Sequence, residues 1–206
     1  MGNNILGANE VALVGAVVSR FRFNHEFYGE KFYVFDLAIA RTSDYVDYIP
    51  IMISEKLVDV NENLKGTFVY VSGSYRSFNL QGEERNKLIL TVFANEIEID
   101  VDYEQTNNIF LNGYVCKPPV NRKTTLGREI TELLVAVNRA YGKSDYIPCV
   151  VWGRNAKYAS KFDVGERVKI WGRVQSREYT KKISETESEN RIAYEVSVKN
   201  VEVDYE

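Results

Sequence analysis

Histidine and cysteine are scarce in this sequence of 206 residues, and their scarcity limits its chemistry. The one histidine, His25, lies in the polar segment Asn24-His25-Glu26 without a nucleophile motif, so we expect a surface loop and not a catalytic base. The two cysteines, Cys116 and Cys149, cannot form a zinc site by themselves and are expected to be reduced, buried thiols. No glycine-rich phosphate loop of the Walker type occurs. We therefore predict a protein that is not an enzyme and has neither metal nor cofactor.

Long apolar runs are also missing. No stretch of about 18 apolar residues occurs, so the sequence predicts no membrane span and no membrane partner. The first residues, Met1-Gly2-Asn3-Asn4, lack the basic segment and apolar block of a signal peptide. Together with the two thiols, these absences favour a cytoplasmic location.

Valine, isoleucine, tyrosine and phenylalanine are abundant, whereas alanine, leucine and methionine are sparse, and this balance favours strands over helices. Charge is divided unevenly along the chain. Residues 1–104 carry a net charge of −7, and residues 105–206 carry +4. Because lysine and arginine contacts to phosphates dominate nucleic-acid binding, the second half is the better candidate for holding phosphates.

The sequence repeats itself at a shift of 98 positions. Asp47-Tyr48-Ile49-Pro50 recurs as Asp145-Tyr146-Ile147-Pro148, and the same shift superposes Val11–Gly15 on Ile109–Gly113. Further matches follow in the same order, one of them after a slip of one residue. Ordered matches at nearly constant spacing indicate a duplication.

Each copy shows mostly the period-two pattern of strands, with one interruption of helical period. In the second copy we predict strands at Ile109–Val115, Glu132–Asn138, Ile147–Trp152, Arg167–Val174 and Ala193–Val203, with a helix at Asn155–Phe162 and a hairpin loop at Thr180–Asn190. In the first copy we predict strands at Val11–Val17, Tyr33–Ala40, Tyr48–Ile53, Thr67–Tyr75 and Leu88–Ile99, with a short helical segment at Glu55–Asn61. Valine is a poor helix former, so Val58 and Val60 weaken that helix.

Five short strands with a helix between the third and fourth are the order of an OB-fold barrel. The predicted fold class is therefore all-β, with two tandem five-stranded OB-fold barrels, each with a short helix between strands 3 and 4. We expect the first barrel at residues 1–103 and the second at residues 104–206, joined by a short acidic linker.

The second copy resembles the bacterial single-stranded DNA-binding protein family. The residues that carry the resemblance are Asn107-Asn108-Ile109 with Gly113, Val135–Arg139, Ile147–Gly153 and Val168–Arg177. The first copy resembles the family more loosely, through Asn9–Gly15 and Val69–Ser77.

This resemblance implies barrels that bind single strands without catalysis, in a groove of aromatic and basic residues. It also implies an assembly of four barrels, which a homodimer of this chain would supply. Family members usually end in an acidic tail that recruits replication and repair enzymes. This sequence ends at Val203-Asp204-Tyr205-Glu206 without one, so the resemblance does not extend to that recruiting tail, and replication or recombination proteins stay possible partners.

The resemblance places three aromatic residues of the second copy at base-stacking positions, with a fourth less surely aligned: Tyr146, Trp152, Tyr179 and Tyr141. Basic residues are interleaved with them and would hold phosphates: Arg122, Arg139, Arg154, Arg173, Arg177, Lys181 and Lys182. Tyr146 and Trp152 are an even number of positions apart, so they share one strand face. The pattern alone leaves open whether that face is the groove or the barrel interior.

The first copy retains fewer of these residues. Tyr48 corresponds to Tyr146 and Arg41 to Arg139, whereas Ser54 replaces Trp152. Tyr75 and Phe78 offer substitute rings, and Arg20 and Arg22 some charge. With its net negative charge, the first copy is expected to bind weakly or to serve mainly in pairing.

The predicted function is sequence-independent binding of single-stranded DNA in replication, recombination or repair, in the nucleoid-associated cytoplasm of a bacterium or phage host. RNA is a lesser alternative ligand, because stacking surfaces do not by themselves detect the 2′-hydroxyl. The alternative function is an OB-fold module that docks onto a replication or recombination protein through the acidic first barrel, with little DNA binding.

Overall fold

The computed structural model describes residues 7–80, 87–183 and 188–205, and most of them lie in strands. Six strands form a first barrel: β1 (Asn9–Val17), β2 (Arg22–Phe27), β3 (Glu30–Ala40), β4 (Val46–Ser54), β5 (Phe68–Leu80) and β6 (Lys87–Ile99). Six form a second: β7 (Asn107–Val115), β8 (Val120–Lys123), β9 (Glu129–Asn138), β10 (Ser144–Trp152), β11 (Arg167–Lys182) and β12 (Ser188–Val203). A 3-10 turn at Ala140–Gly142 and the helix α1 (Arg154–Ala159) belong to the second barrel. Within the described ranges no helix has the length and apolar character needed to cross a membrane.

The twelve strands form one sheet in the order β2-β3-β4-β6-β5-β1-β7-β11-β12-β10-β9-β8. Additional pairings of β1 with β3 and of β7 with β9 close each half into a barrel. One parallel contact occurs at the same place in each barrel, β4 with β6 and β10 with β12. The all-β prediction of two tandem OB-type barrels is confirmed.

Among the described residues, each barrel has one strand in addition to the five predicted. The additional strands are β2 and β8, which pair with β3 and β9 at the two edges of the sheet. Every residue of both strands is exposed. A strand with no buried face lacks the apolar alternation by which the other strands are identified, so the sequence pattern did not reveal them.

A helix between the third and fourth core strands occurs only in the second barrel. There α1 buries Ala156 and Ala159 against the barrel. In the first barrel residues 55–62 form turns, so the predicted helix at Glu55–Asn61 is absent. The backbone N–H of Asn61 donates to Asp59 Oδ1 at 3.0 Å, and such local side-chain bonds compete with helix formation.

The first strand of the long hairpin in each barrel extends further than predicted. β5 continues past Tyr75 to Leu80, and β11 continues past Val174 to Lys182. Phe78, Tyr179, Lys181 and Lys182 consequently lie on strands, although the sequence placed both lysines in a loop.

Alternation along the strands separates the core from the surface. On β10, Ile147, Cys149 and Val151 are fully buried, while Tyr146 and Trp152 are exposed. The inward residues of both barrels form one connected hydrophobic cluster, so the barrels share a core.

The slip of one residue between the two sequence copies lies close to a pair of β-bulges. The ladder between β5 and β6 shifts between Ser72 and Gly73, and the ladder between β11 and β12 shifts between Trp171 and Gly172. A Cβ on Gly73 would overlap the carbonyl oxygen of Phe93. Only glycine therefore permits the two backbones to approach so closely.

The barrels are joined by antiparallel pairing of β1 with β7. Val11 lies opposite Ile109, which is its counterpart in the duplication, so a pseudo-twofold axis passes between them. This pairing brings β4 of the first barrel against β11 of the second, and β5 against β10.

Candidate functional site

The outer face of β10 presents aromatic rings to solvent. Tyr146 is 42% exposed and Trp152 38%, because the residues that alternate with them point into the barrel. The indole N–H of Trp152 donates to Ser197 Oγ on β12 at 3.2 Å. One edge of the indole is thus fixed while part of the ring stays accessible. This positions Trp152 to take a stacked ring and excludes the interior position that the pattern had left open.

Cations and a further ring continue this face across β11 and β12. Arg173 lies opposite Ser197, the residue that holds Trp152. Four residues further along β11, the guanidinium of Arg177 lies 5.7 Å from the centre of the Tyr179 ring, which is 37% exposed. We call the outward residues of β10, β11 and β12 the Trp152 face: Tyr146, Trp152, Arg173, Gln175, Arg177, Tyr179, Glu195 and Ser197.

A buried carboxylate organises the centre of the Trp152 face. Glu195 accepts a hydrogen bond from Gln175 Nε2 at 2.7 Å and one from Arg177 Nε at 3.3 Å. Gln175 Oε1 in turn accepts from Arg173 at 3.1 Å. The chain of bonds holds both arginines in place along the strand.

Arg122 borders the other side of Trp152. Arg122 on β8 and Trp152 on β10 both pair with Ile130 on β9, so the three side chains form a row on one face. Arg122 Nε also donates to Glu132 at 3.1 Å. Arg122 therefore lies on one side of the indole along the sheet, and Arg173 lies on the other, beyond Ser197.

Two polar junctions connect the barrels, and each has a buried aspartate at its centre. The Asp47 junction comprises Asp47, Arg41, Arg173 and Ser176. The Asp145 junction comprises Asp145, Arg139, Arg76 and Ser77. Both aspartates are completely buried, and the duplication relates them.

Asp47 is fully partnered from both barrels. It accepts from Arg41 Nε at 2.8 Å and from the Ser176 N–H at 2.7 Å, and Arg173 Nη1 lies 3.4 Å away. The hydrogen bond to Asp47 raises the pKa of Arg41, whereas burial and the charge of Arg41 lower the pKa of Arg173. Arg41 and Arg173 are therefore ion-paired with Asp47 at this junction, whereas the sequence pattern treated them as unpaired cations that would hold phosphates.

Asp145 is less well partnered. The Ser77 N–H donates to it at 2.7 Å, and Arg139 Nε lies 3.1 Å away as an ion pair without an aligned hydrogen bond. Burial raises the pKa of Asp145, opposed by the Ser77 bond and by the charges of Arg139 and Arg76. Arg139 is thus tied to an acid, as Arg41 is.

A cleft of about 510 Å³ separates the loop after β3 from the Trp152 face. Its lining includes Arg41, Thr42 and Ser43 from the first barrel, and Arg173, Ser197 and Lys199 from the second. Since Ser197 also contacts Trp152, the cleft and the indole form one continuous surface. A ligand on Trp152 can extend into this cleft and touch both barrels.

The first barrel presents a different surface at the corresponding positions. Tyr48 is exposed, and its backbone N–H donates to Ser176 Oγ at 3.1 Å, so it lies at the edge of the second barrel. Ser54, the counterpart of Trp152, is buried and hydrogen-bonded to Glu30. Phe78 is half-buried on β5, whereas Tyr75 is completely buried in the core, so the prediction that Tyr75 offers a ring was wrong. The first barrel therefore lacks the central ring of the Trp152 face.

Several predicted residues lie apart from the Trp152 face. Tyr141 is fully exposed in the loop between β9 and β10, with a positive φ of 63°. Arg154 is exposed at the start of α1. Lys181 and Lys182 lie at the far end of β11, beyond Tyr179. These residues surround the face and do not form part of its centre.

Sequence reasoning missed the two buried aspartates, although they stood in the repeated motif. An aspartate that recurs within an apolar strand, with an arginine six residues before it each time, signals a buried ion pair. Tyr45, whose ring lies 5.8 Å from the Arg41 guanidinium, carried no such signal because it does not recur. No cluster of three or more histidine, cysteine or acidic residues fit for a metal occurs in the described part of the chain.

The second barrel shows the clearest similarity to known proteins. The model of the Single-strand binding protein family matches residues 106–204. Single-stranded DNA-binding protein B of Bacillus subtilis is 30% identical over an 80-residue match, which covers 35% of this chain and 71% of that protein. Single-stranded DNA-binding protein 2 of Listeria innocua is 34% identical over 80 residues, and this chain spans half of its length.

The whole chain is similar in fold to a solved structure. The single-stranded DNA binding protein from Thermus aquaticus superposes with a TM-score of 0.73 at 21% identity, covering 96% of this chain and 93% of that one. This similarity extends over both barrels and supports the two-barrel architecture described above.

Proposed function

Because the chain belongs to the single-strand binding protein family, we propose that it binds single-stranded DNA without regard to base sequence. Bases would stack on exposed rings of the Trp152 face, and arginines would hold the phosphates between them. Stacking contributes roughly 1–3 kcal/mol per base and tolerates every base, because each has a π-face.

One observation carries this proposal: Trp152 is held by Ser197 with its ring partly exposed, between Arg122 and Arg173. A partly exposed indole offers a π-face on which a base can stack. Its placement among cations suits a ligand of alternating flat and anionic groups, which describes a single strand.

The two barrels would contribute unequally to binding. The second barrel is the principal binder, since it has the indole and the positive net charge. The first barrel contributes Tyr48 and the walls of the cleft. We further propose a homodimer that presents four barrels and acts without catalysis in DNA replication, recombination or repair in the cytoplasm.

A fluorescence titration with poly-dT at low and moderate salt tests the binding. We expect saturable quenching that weakens as salt rises, since phosphate contacts release counterions. Trp152→Ala is expected to weaken binding about 5- to 150-fold. Absence of both quenching and a mobility shift at low salt would refute single-strand binding, and a titration with poly-U separates DNA from RNA.

A second candidate is docking to a replication or recombination protein through the first barrel. The observation that favours it is the hairpin of β2 and β3, where Phe23, Phe27 and Tyr28 are exposed in the acidic half of the chain. A stoichiometric protein partner, combined with no binding to poly-dT, would support this function over the first.

A further inference from the structure

The two polar junctions differ in one respect that the duplication makes visible. In the second barrel Gln175 on β11 lies opposite Glu195 on β12. At the same rung of the first barrel, Arg76 on β5 lies opposite Thr91 on β6. The second barrel thus pairs an amide with a carboxylate at this rung, and the first barrel pairs a guanidinium with a hydroxyl.

The carboxylate of Glu195 accepts hydrogen bonds from the side chains of Gln175 and Arg177. The first barrel has no acid at this rung, because Thr91 is shorter and uncharged. Four buried polar atoms of this rung and the Asp145 junction have no hydrogen-bond partner among the described residues: the donors Thr91 Oγ1, Arg76 Nε and Arg139 Nε, and the acceptor Asp145 Oδ2, which lies 3.1 Å from Arg139 Nε. Buried donors without acceptors are costly, so such a cluster needs an explanation.

The Arg76 guanidinium is held rigidly. Its Cζ lies 3.7 Å from the centre of the Phe93 ring, which packs against Phe32. Arg76 is half-buried, and both burial and the charge of Arg139 lower its pKa. Two arginines therefore share the single acid Asp145, and their positive charges are close enough to disfavour each other.

Thr91 belongs to the same cluster. It is only 4% exposed, and as the cross-strand partner of Arg76 it shares that residue's face of the sheet. A hydroxyl in this position can donate to an acceptor bound near the two arginines. An anionic acceptor suits this position best, since Arg76 and Arg139 carry two positive charges against the single carboxylate of Asp145.

We propose that Arg76, Arg139 and Thr91 bind one phosphate group of the single strand, at the rung where the second barrel has its own Glu195 carboxylate. This inference rests on the proposed function and adds to it a phosphate site in the acidic first barrel. The site adjoins Tyr146, whose N–H donates to Ser77 Oγ at 2.8 Å, so a strand stacked on Tyr146 reaches it directly.

Two substitutions test the site with little change in shape. Thr91→Val removes only the hydroxyl, and Arg76→Gln introduces the residue that the second barrel has at this position. We expect Thr91→Val to bind an oligo-dT about 3- to 10-fold more weakly, without a loss of thermal stability, because its hydroxyl has no partner in the free protein. We expect Arg76→Gln to make the slope of log K against log salt shallower by about 0.7, as for one lost phosphate contact.

Lys65→Gln is the matched control, since Lys65 is exposed in the loop before β5. It removes one positive charge from the first barrel and is expected to leave the affinity unchanged. If Thr91→Val binds oligo-dT as tightly as the wild type, and Arg76→Gln changes no more than Lys65→Gln, the site is refuted.

Inorganic phosphate separates the possible sources of the anion. The melting temperature is measured in sodium phosphate and in sodium chloride at equal ionic strength. Stabilisation by phosphate that both variants lose, together with weaker oligo-dT binding, supports the proposal. Stabilisation with unaltered oligo-dT binding assigns the site to free phosphate and overturns the strand contact. If wild type binds no oligo-dT at all, the proposed function itself fails.

Discussion

The Asp47 carboxylate in the first barrel accepts a hydrogen bond from the Ser176 N–H in the second, at 2.7 Å. The duplication repeats this contact with the barrels exchanged, since Asp145 accepts from the Ser77 N–H at the same distance. Each barrel thus inserts a buried acid against the long hairpin of the other. Together with the pairing of β1 and β7, these contacts fix the relative orientation of the two barrels.

Asp47→Ala is expected to lower the free energy of unfolding by about 3–5 kcal/mol, because it leaves Arg41 and Arg173 without their buried partner. Urea denaturation followed by circular dichroism measures the change. Asp44→Ala, which changes an exposed residue of the loop just before β4, is the control and is expected to be nearly neutral. Equal stabilities for the two variants would show that the junction does not hold the barrels together.

The two tryptophans are expected to respond differently to a single strand. Trp171 packs against Phe110 with a centroid distance of 5.2 Å, away from the Trp152 face. In Trp171→Phe, poly-dT should quench most of the remaining fluorescence, whereas in Trp152→Phe the quenching should nearly disappear. Quenching that follows Trp171 instead would move the strand to the surface between β1 and β7.

Gly73→Ala is expected to destabilise the first barrel by more than about 1 kcal/mol, since the new Cβ overlaps backbone and the bulge must open. The neighbouring Ser72→Ala removes only a bond to Glu96 at 3.2 Å and provides the comparison. The melting temperature of each variant, measured by calorimetry, checks this. A Gly73→Ala variant as stable as Ser72→Ala would mean that the bulge is not needed.

The free energy of unfolding is expected to depend on pH because the pKa of Asp145 is raised in the native state. Burial raises its pKa above the ordinary 3.8, so the native state holds the proton more tightly than the unfolded chain does. Its contribution to stability is therefore fully present below about pH 3.8 and is lost as pH rises through the raised native pKa.

The comparison of wild type with Asp145→Asn, which cannot titrate, isolates this effect. The difference in unfolding free energy, wild type minus variant, should fall as pH rises across that window. A difference that rises would mean that Arg139 and Arg76 outweigh burial and that the pKa of Asp145 is lowered instead.

The strands that have one buried face could be predicted from the sequence, and the edge strands could not. The alternation of Leu133, Val135 and Val137 identified β9 because each of these side chains is buried. β2 and β8 have no buried residue, so no alternation of apolar and polar residues indicated these strands. The helix predicted at Glu55–Asn61 failed for a local reason, since Asp59 and Asn61 bond to nearby backbone and side-chain groups and favour turns.

Only part of the candidate site could be predicted from the sequence. The resemblance named Trp152, and the period showed that it shares a face with Tyr146, but not which face. Arg41, Arg139 and Arg173 were counted with the free cations, and their pairing with Asp47 and Asp145 depends on contacts across more than one hundred residues or across the turn of a hairpin.

The duplication, the all-β character and the difference in charge between the halves follow from the sequence by itself, because each is a matter of residue identity and local spacing. The joining of the barrels through β1 and β7, the cleft beside Trp152 and the unequal polar junctions were decided by the tertiary structure alone. These features arise where two copies of one fold face each other, and which side chains meet there depends on geometry that no local period contains.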